Sequence, residues 1–309
     1  MSRVWLITGT SSGFGLELAK VVAARGDRVL AATRNPSKMA PLPGVTVVRL
    51  DHNEPLEQIQ AAIAEILKIY QTIDVVVNNA AYVQAGTVEG ATPEETLRQF
   101  QANLFGPINV YRAVLPHMRA KRSGTLVTIG SMSTWYTSPT FNLYNATKAA
   151  LRRLTLGLAE EVRPFGIRHC LVEPGLFRTE LMNQTTNFAG VSADIPDYAD
   201  LVSAVNAKAV AIHGKQLGDT AKGASIIYDI VTSTGVAASR EFPSFVPLGS
   251  DAKDVIVKGA LDTVEAARQW EDVARLSDSP LTEGSGAALD YRDFVTVEDV
   301  PNIGYQYLP

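Results

Sequence analysis

The sequence predicts a doubly wound α/β fold, a parallel sheet with helices on both faces. Two observations predict it. Short runs rich in Val, Ile and Leu alternate with longer segments of helical period, and a glycine-rich turn follows the first apolar run. The expected strands are 4–7, 29–32, 45–50, 74–77, 124–129 and 167–172. Runs this short and this apolar suit strands covered on both sides, joined by right-handed crossovers. The intervening helices are expected over 15–25, 56–70, 93–121 and 144–162. Beyond Val172 the pattern loosens. Residues 182–206 carry only three charges, Asp194, Asp197 and Asp200, and read as a lid over a binding site. Ser250 or Asp251 would cap a last helix reaching about Leu276, with Val257, Leu261, Val264 and Ala267 at helical spacing. Surface coil is expected from Ser277 onward. No linker separates two cores, so residues 1–309 are read as one domain, with a lid over about 180–225 and a C-terminal extension over about 240–309.

Composition narrows the function classes. The 309 residues hold 28 Lys and Arg against 32 Asp and Glu, a net charge of −4. That balance argues against nucleic acid and anionic membrane surfaces as partners, because both need clustered cations. A 46% hydrophobic fraction is ample for a large core. The single cysteine, Cys170, excludes a disulfide framework, and its place in an apolar run marks it as core. His52, His117, His169 and His213 lack ligand spacing, so no metal is expected. No apolar run approaches the ~18 residues of a membrane span, and the N-terminal VWLI is too short for a signal core. The expectation is a soluble cytoplasmic protein.

The turn Thr8-Gly9-Thr10-Ser11-Ser12-Gly13-Phe14-Gly15 joins the first strand to the first helix. Glycines at 9, 13 and 15 permit a tight turn, close approach of backbone to a pyrophosphate, and close helix packing. The helix N-terminus adds N–H donors and a positive dipole, so Gly9, Ser11, Ser12, Gly13, Phe14 and Gly15 are expected to hold a dinucleotide. The second strand ends Ala32-Thr33-Arg34-Asn35 without the carboxylate that binds a free ribose hydroxyl. Arg34 instead offers a fork suited to a phosphate, so NADP(H) is expected over NAD(H). Asp51 either holds the adenine edge or opens a turn with His52 and Asn53.

Tyr144 and Lys148 stand four apart in a helical segment and so share a face. A tyrosine alone, with a pKa of about 10, exchanges protons poorly at neutral pH. An adjacent ammonium favours the phenolate, which makes the pair a potential acid and base. Together with the glycine turn, these residues make the chain resemble the short-chain dehydrogenase/reductase family, whose catalytic helix carries Tyr-x3-Lys. The resemblance extends to Ser131, thirteen residues before Tyr144, to Asn103 in ANLFG, to Asn78-Asn79-Ala80, and to Pro174-Gly175-Leu176-Phe177-Arg178-Thr179, in order over about residues 4–180.

That resemblance implies a Rossmann-type single domain and a set of roles. Tyr144 would exchange a proton with the substrate oxygen. Lys148 would lower the tyrosine pKa and bind the nicotinamide ribose. Ser131 would hydrogen-bond the substrate oxygen, and Asn103 would hold a water in the proton path. Pro174, Gly175, Leu176 and Thr179 would meet the nicotinamide end, with Asn79, Ala80 and Ala81 along the cofactor. Ala81 stands where the family usually has Gly. Ser133 is either a second substrate hydroxyl or a strand-end hydroxyl bonded to backbone. Met132, Trp135, Tyr136 and Phe141 form either a pocket wall or plain core.

The expected activity is NADP(H)-dependent hydride transfer involving a carbonyl or secondary alcohol on a largely apolar small molecule, such as a secondary metabolite. The aromatic residues before Tyr144 and the apolar Phe177, Leu181 and Met182 suggest that substrate. The alternatives are an epimerase, isomerase or dehydratase working without net redox on the same site, and a non-catalytic NADP(H) sensor. The resemblance also implies a homo-oligomer, dimer or tetramer, paired through the 93–121 and 144–162 helices.

Overall fold

A computed structural model of the chain describes residues 2–179, 181, 188–190 and 195–277. The chain divides into two compact units, Met1–Ala260 and Leu261–Pro309. The first holds a seven-stranded parallel sheet. Its strands are β1 (Val4–Thr8), β2 (Arg28–Thr33), β3 (Val45–Arg49), β4 (Val75–Asn78), β6 (Gly124–Ile129), β7 (Ile167–Pro174) and β9 (Phe245–Leu248), in the order β3-β2-β1-β4-β6-β7-β9. The order reverses between β1 and β4, which places a crevice at the carboxyl ends of those strands. A separate parallel pair joins β5 (Val83–Ala85) to β8 (Phe188–Gly190).

Strand pleating sorts the core into two layers. Trp5, Ile7, Val29 and Val77 face α1 (Gly13–Ala24) and α7 (Thr220–Thr232), meeting Leu18, Val22, Ile227 and Val231. Leu6, Leu30, Val76 and Leu126 face the other way, onto Ile59 and Ile63 of α2 (Leu56–Tyr70) and Val110, Val114 and Met118 of α4 (Gly106–Lys121). Cys170 is fully buried, and burial pushes its thiol up to about 12.

The expected helix over 93–121 is three pieces: α3 (Pro93–Phe100), a π-turn over Gln101–Phe105, and α4. Thr92 starts α3 with a reciprocal capping box to Glu95. Pro107 lacks the N–H that would bond the carbonyl of Asn103, so the α-ladder cannot run through this point. The register widens by one residue, and Gly106 N–H donates to the Gln101 carbonyl. Gly106 also sits against His52, where a methyl group would lie 2.5 Å from the His52 carbonyl. The next helix, α5 (Asn142–Val162), starts two residues before Tyr144.

The pair β5 and β8, the strand β9 and the helices over 199–212 and 220–232 went unforeseen. β9 has four residues, one of them Pro247, and among the described residues pairs only with β7, so its proline sits on a sheet edge where it breaks no ladder. Within the expected lid, α6 (Ala199–Ile212) forms, whereas α7 from Thr220 onward is a core helix packed on α1. Residues 220–225 of the expected lid therefore belong to a core helix instead. Met182, most of residues 182–194 and the tail from 278 lie outside the described residues. The expected last helix is α8 (Ser250–Gln269), followed by α9 (Glu271–Arg275). Ala252 and Ile256 are its buried residues, and Val257, Leu261 and Val264 remain about half exposed. Among the described residues no helix is long and apolar enough to cross a membrane.

Candidate active site

At the carboxyl edge of the sheet lies a cavity of about 1150 Å³. Gly9, Ser11, Ser12, Gly13 and Phe14 line one end, together with Arg34, His52 and Asn53; Asn79, Ala80 and Ala81 line the middle. Ser131, Tyr144, Lys148, Pro174, Gly175, Leu176 and Thr179 line the other side. Almost every residue expected at the site is therefore brought to one space. Gly15, Asp51 and Asn103 are not among the residues that line it.

The glycine turn is built for close approach. Gly9 and Gly13 have φ of 70° and 58°, in the left-handed region. A methyl group at Gly9 would lie 2.7 Å from Ala80 Cα, and one at Gly15 would lie 2.4 Å from the Gly9 carbonyl oxygen. A methyl on Gly13 would meet nothing nearer than Thr179, 3.4 Å away, so the backbone there faces the cavity. The Ser12 side chain, at the N-cap, makes no capping bond to the leading N–H groups of α1. This donor-rich cradle, with its bare backbone and exposed Arg34 beyond it, fits the diphosphate and ribose end of a dinucleotide.

Asp51 forms the turn that the sequence left open. Its Oδ1 accepts from Asn53 N at 3.0 Å and from Asn53 Nδ2 at 2.9 Å. His52, which sequence reasoning passed over, lines the cavity instead. Burial pushes its pKa down to about 4; Asp51 opposes that shift and Arg34 reinforces it. The ring is thus neutral at physiological pH.

Tyr144, Lys148 and Thr147 occupy the buried face of α5. Burial pushes the Tyr144 phenol up to about 12, against the pull of its hydrogen bond with Ser131. Burial likewise brings Lys148 down to about 8, with Glu173 opposing. The ammonium donates to the Ile129 carbonyl at 2.8 Å and lies 5.9 Å from the centre of the Tyr144 ring. Desolvation is the largest influence on the phenol. Ser131 Oγ accepts from the backbone N–H of Ser133 at 3.1 Å.

Asn103 uses its side chain to grip the strand beside the cavity. Its Oδ1 accepts from Tyr82 N at 3.1 Å, while its Nδ2 donates to the Tyr82 carbonyl at 2.9 Å and to Thr147 Oγ1 at 3.2 Å. Gln99, one turn earlier, donates to the same carbonyl at 3.0 Å and accepts from Gln84 N. This amide pair fixes the segment that follows Ala81.

Glu173 is the residue whose importance the sequence did not disclose. It is fully buried, at the end of β7 and directly before Pro174. Trp135 Nε1 donates to its Oε2 at 2.7 Å, and Arg152 Nε lies 3.3 Å from its Oε1. The Arg152 guanidinium in turn lies 4.5 Å over the Trp135 ring. Burial pushes the Glu173 pKa up, and Trp135, Arg152, Thr134 and Lys148 pull it back. Lys148 and Arg152 stand four residues apart on α5, and this one carboxylate acts on both. The available signal was a lone acid within an apolar strand. Among the described residues no group of three His, Cys, Asp or Glu side chains could hold a metal.

A family model described as short chain dehydrogenase matches residues 3–190. The chain is 31% identical over 284 residues to oxidoreductase BOA17 of Botryotinia fuckeliana, covering 90% of this chain and all of that one. Among solved structures it is similar to a short-chain dehydrogenase from Streptomyces avermitilis, at 37% identity and a TM-score of 0.78, over 90% of this chain and 100% of the other. It is also similar to a gluconate 5-dehydrogenase from Burkholderia cenocepacia in complex with NADP and tartrate, at 26% identity and a TM-score of 0.65, covering 82% of this chain and 96% of that one.

The buried carboxylate generates a stability prediction. Glu173→Ala leaves the Arg152 cation and the Trp135 N–H without their acceptor, and should lower the unfolding free energy by about 3 kcal/mol. Glu173→Gln keeps an acceptor for Trp135 and should cost less. Urea unfolding of both variants checks this; a loss below about 1 kcal/mol for Glu173→Ala would contradict a paired buried charge.

Proposed function

The chain belongs to the short-chain dehydrogenase family, and from that premise we propose that it is an NADP(H)-dependent reductase of ketones with a largely apolar body. As a family member it is an oxidoreductase of small molecules that uses a nicotinamide cofactor. One observation carries the finer reading: Ser131 and the buried Tyr144 and Lys148 face the same cavity as the glycine cradle and Arg34. The exposed Arg34, with no acid at the end of β2, supports NADP(H) over NAD(H).

Bound at this site, the nicotinamide would supply the hydride. Gly9, Ser11, Ser12, Gly13, Phe14 and Arg34 would hold the phosphates, with Thr179 and the Pro174–Leu176 segment at the nicotinamide end. Ser131 and Tyr144 would present their hydroxyls to the carbonyl oxygen, donors aimed where negative charge develops. A phenol at about 12 is fully protonated at neutral pH, the form a reduction needs. As Tyr144 gives up its proton, the Lys148 ammonium would stabilise the phenolate left behind and could return a proton, since its pKa of about 8 lies close to working pH. Leu201, Val205 and Ile212 of α6 and Phe141 add apolar wall. The half-exposed Phe105 beside α4 and Leu154 on α5 support pairing of these helices between copies of the chain.

Tyr144→Phe should reduce NADPH-dependent turnover of an aryl ketone by about 10²-fold or more, with NADPH affinity nearly unchanged. Turnover within a few-fold of the parent would refute the proton-donor role. The pH profile has a definite sign. Lys148 is cationic below about 8, so kcat/KM should hold below that pH and fall about tenfold per unit above it; a profile flat up to pH 10 would contradict this. Arg34→Ala should weaken NADPH binding by about tenfold or more and leave NADH nearly unaffected. Equal weakening of both would reduce Arg34 to a scaffold residue.

A further inference from the structure

Among the described residues, five buried side-chain atoms have no hydrogen-bond partner: Ser133 Oγ, Asn145 Oδ1, Arg152 Nε, His169 Nδ1 and Gln216 Oε1. Arg152 Nε is paired with Glu173 by charge. Ser133, Asn145 and Gln216 all line the one cavity. Ser133 and Gln216 are more than nine-tenths buried, with 7% and 3% exposure. Each unpaired buried group costs about 1–3 kcal/mol, and three such groups lining one cavity call for a partner within it.

Their positions say where that partner lies. Ser133 belongs to the same short turn as Ser131, with its backbone N–H on Ser131 Oγ at 3.1 Å. Its own hydroxyl makes no backbone bond, which removes the strand-end reading. Asn145 follows Tyr144 directly on α5. Gln216 is held from below, its main-chain carbonyl accepting from Arg178 Nε at 2.9 Å, while its amide oxygen stays unpaired. The three groups thus open on the cavity in which Ser131 and Tyr144 would meet a carbonyl oxygen, with Ser133 bonded to Ser131 and Asn145 next to Tyr144 in the chain. The chemistry of these atoms is selective. Two are amide oxygens, which accept hydrogen bonds and cannot donate, and the third is a hydroxyl that does either. A purely hydrocarbon ketone would leave all three unsatisfied. So would a ligand bearing only ether or ester oxygens, Ser133 apart.

We propose that the substrate is a hydroxy ketone: an apolar body that carries, one or two carbons from the reacting carbonyl, a hydroxyl received by Ser133, with Gln216 accepting from a donor further along. This deepens the reductase reading above and rests on it. A site built to pair a substrate hydroxyl discriminates strongly against the analogue lacking it, because that analogue leaves buried protein groups unpaired.

The test compares benzylacetone with its β-hydroxy derivative, at saturating NADPH, for the parent, Ser133→Ala and Gln216→Leu proteins. NADPH dissociation constants are measured alongside. The parent should favour the hydroxy ketone in kcat/KM by about tenfold or more, and Ser133→Ala should bring that ratio to within about twofold. Gln216→Leu should lower kcat/KM for the hydroxy ketone with NADPH affinity unchanged. No preference in the parent, or a preference that survives Ser133→Ala, would overturn the proposal. A Gln216→Leu loss that falls on NADPH binding would assign that residue to the cofactor and overturn the second contact. If NADPH binds and neither ketone is reduced, the reductase reading fails first and takes this proposal with it.

Discussion

The seam between β1 and β4 is the constraint on which the site depends. Gly9 passes so close to Ala80 that no side chain fits between them. The approach is stitched by polar groups: Asn79 Nδ2 donates to the Thr8 and Gly9 carbonyls at 2.9 and 3.2 Å, and Thr8 Oγ1 accepts from the backbone of Asn79 and Ala80 at 3.0 and 3.1 Å. These bonds hold the glycine turn open at the point where the strand order reverses. From there one crevice extends to the ends of β6 and β7, where the buried hydroxyls and ammonium stand. Loosening the seam would move the cradle and the chemistry apart.

Around that seam, buried polar groups do the positioning. Asn103 and Gln99 clamp the Tyr82 backbone, and the π-turn forced by Pro107 sets the pitch of that clamp. Glu173, tied to Trp135 and to the partly exposed Arg152, opposes the downward shift of the buried Lys148. Burial then decides the protonation states. It raises the phenol and lowers the ammonium, which leaves a protonated acid next to a lysine poised to titrate near neutrality.

Much of this was legible in the sequence because it is local. Six strands announced themselves as apolar runs, and the glycine turn, Ser131, Tyr144 and Lys148 lay at recognisable spacings. What was hidden depends on tertiary partners. β9 is four residues with a proline and becomes a strand only by pairing with β7. The break between α3 and α4 needed the missing N–H of Pro107 to be set against the carbonyl of Asn103. The pairing of Tyr144 with Lys148 was legible, yet the protonation behaviour of the two was not, because the sequence shows their spacing and not the burial that raises one pKa and lowers the other. Glu173 read as one acid in a strand until Trp135 and Arg152 closed around it.

The account's central claim is that the Tyr144 side of the cavity converts a carbonyl to an alcohol with reducing equivalents from the cradle side. Incubation with benzylacetone and NADPH deuterated at both C4 positions of the nicotinamide tests this directly, by mass spectrometry and NMR of the product. The account predicts an alcohol with one deuterium on its carbinol carbon, formed one for one with NADPH consumed. Rearranged or dehydrated product without deuterium, or bound NADPH left intact while substrate changes, would contradict it and return the site to non-redox chemistry.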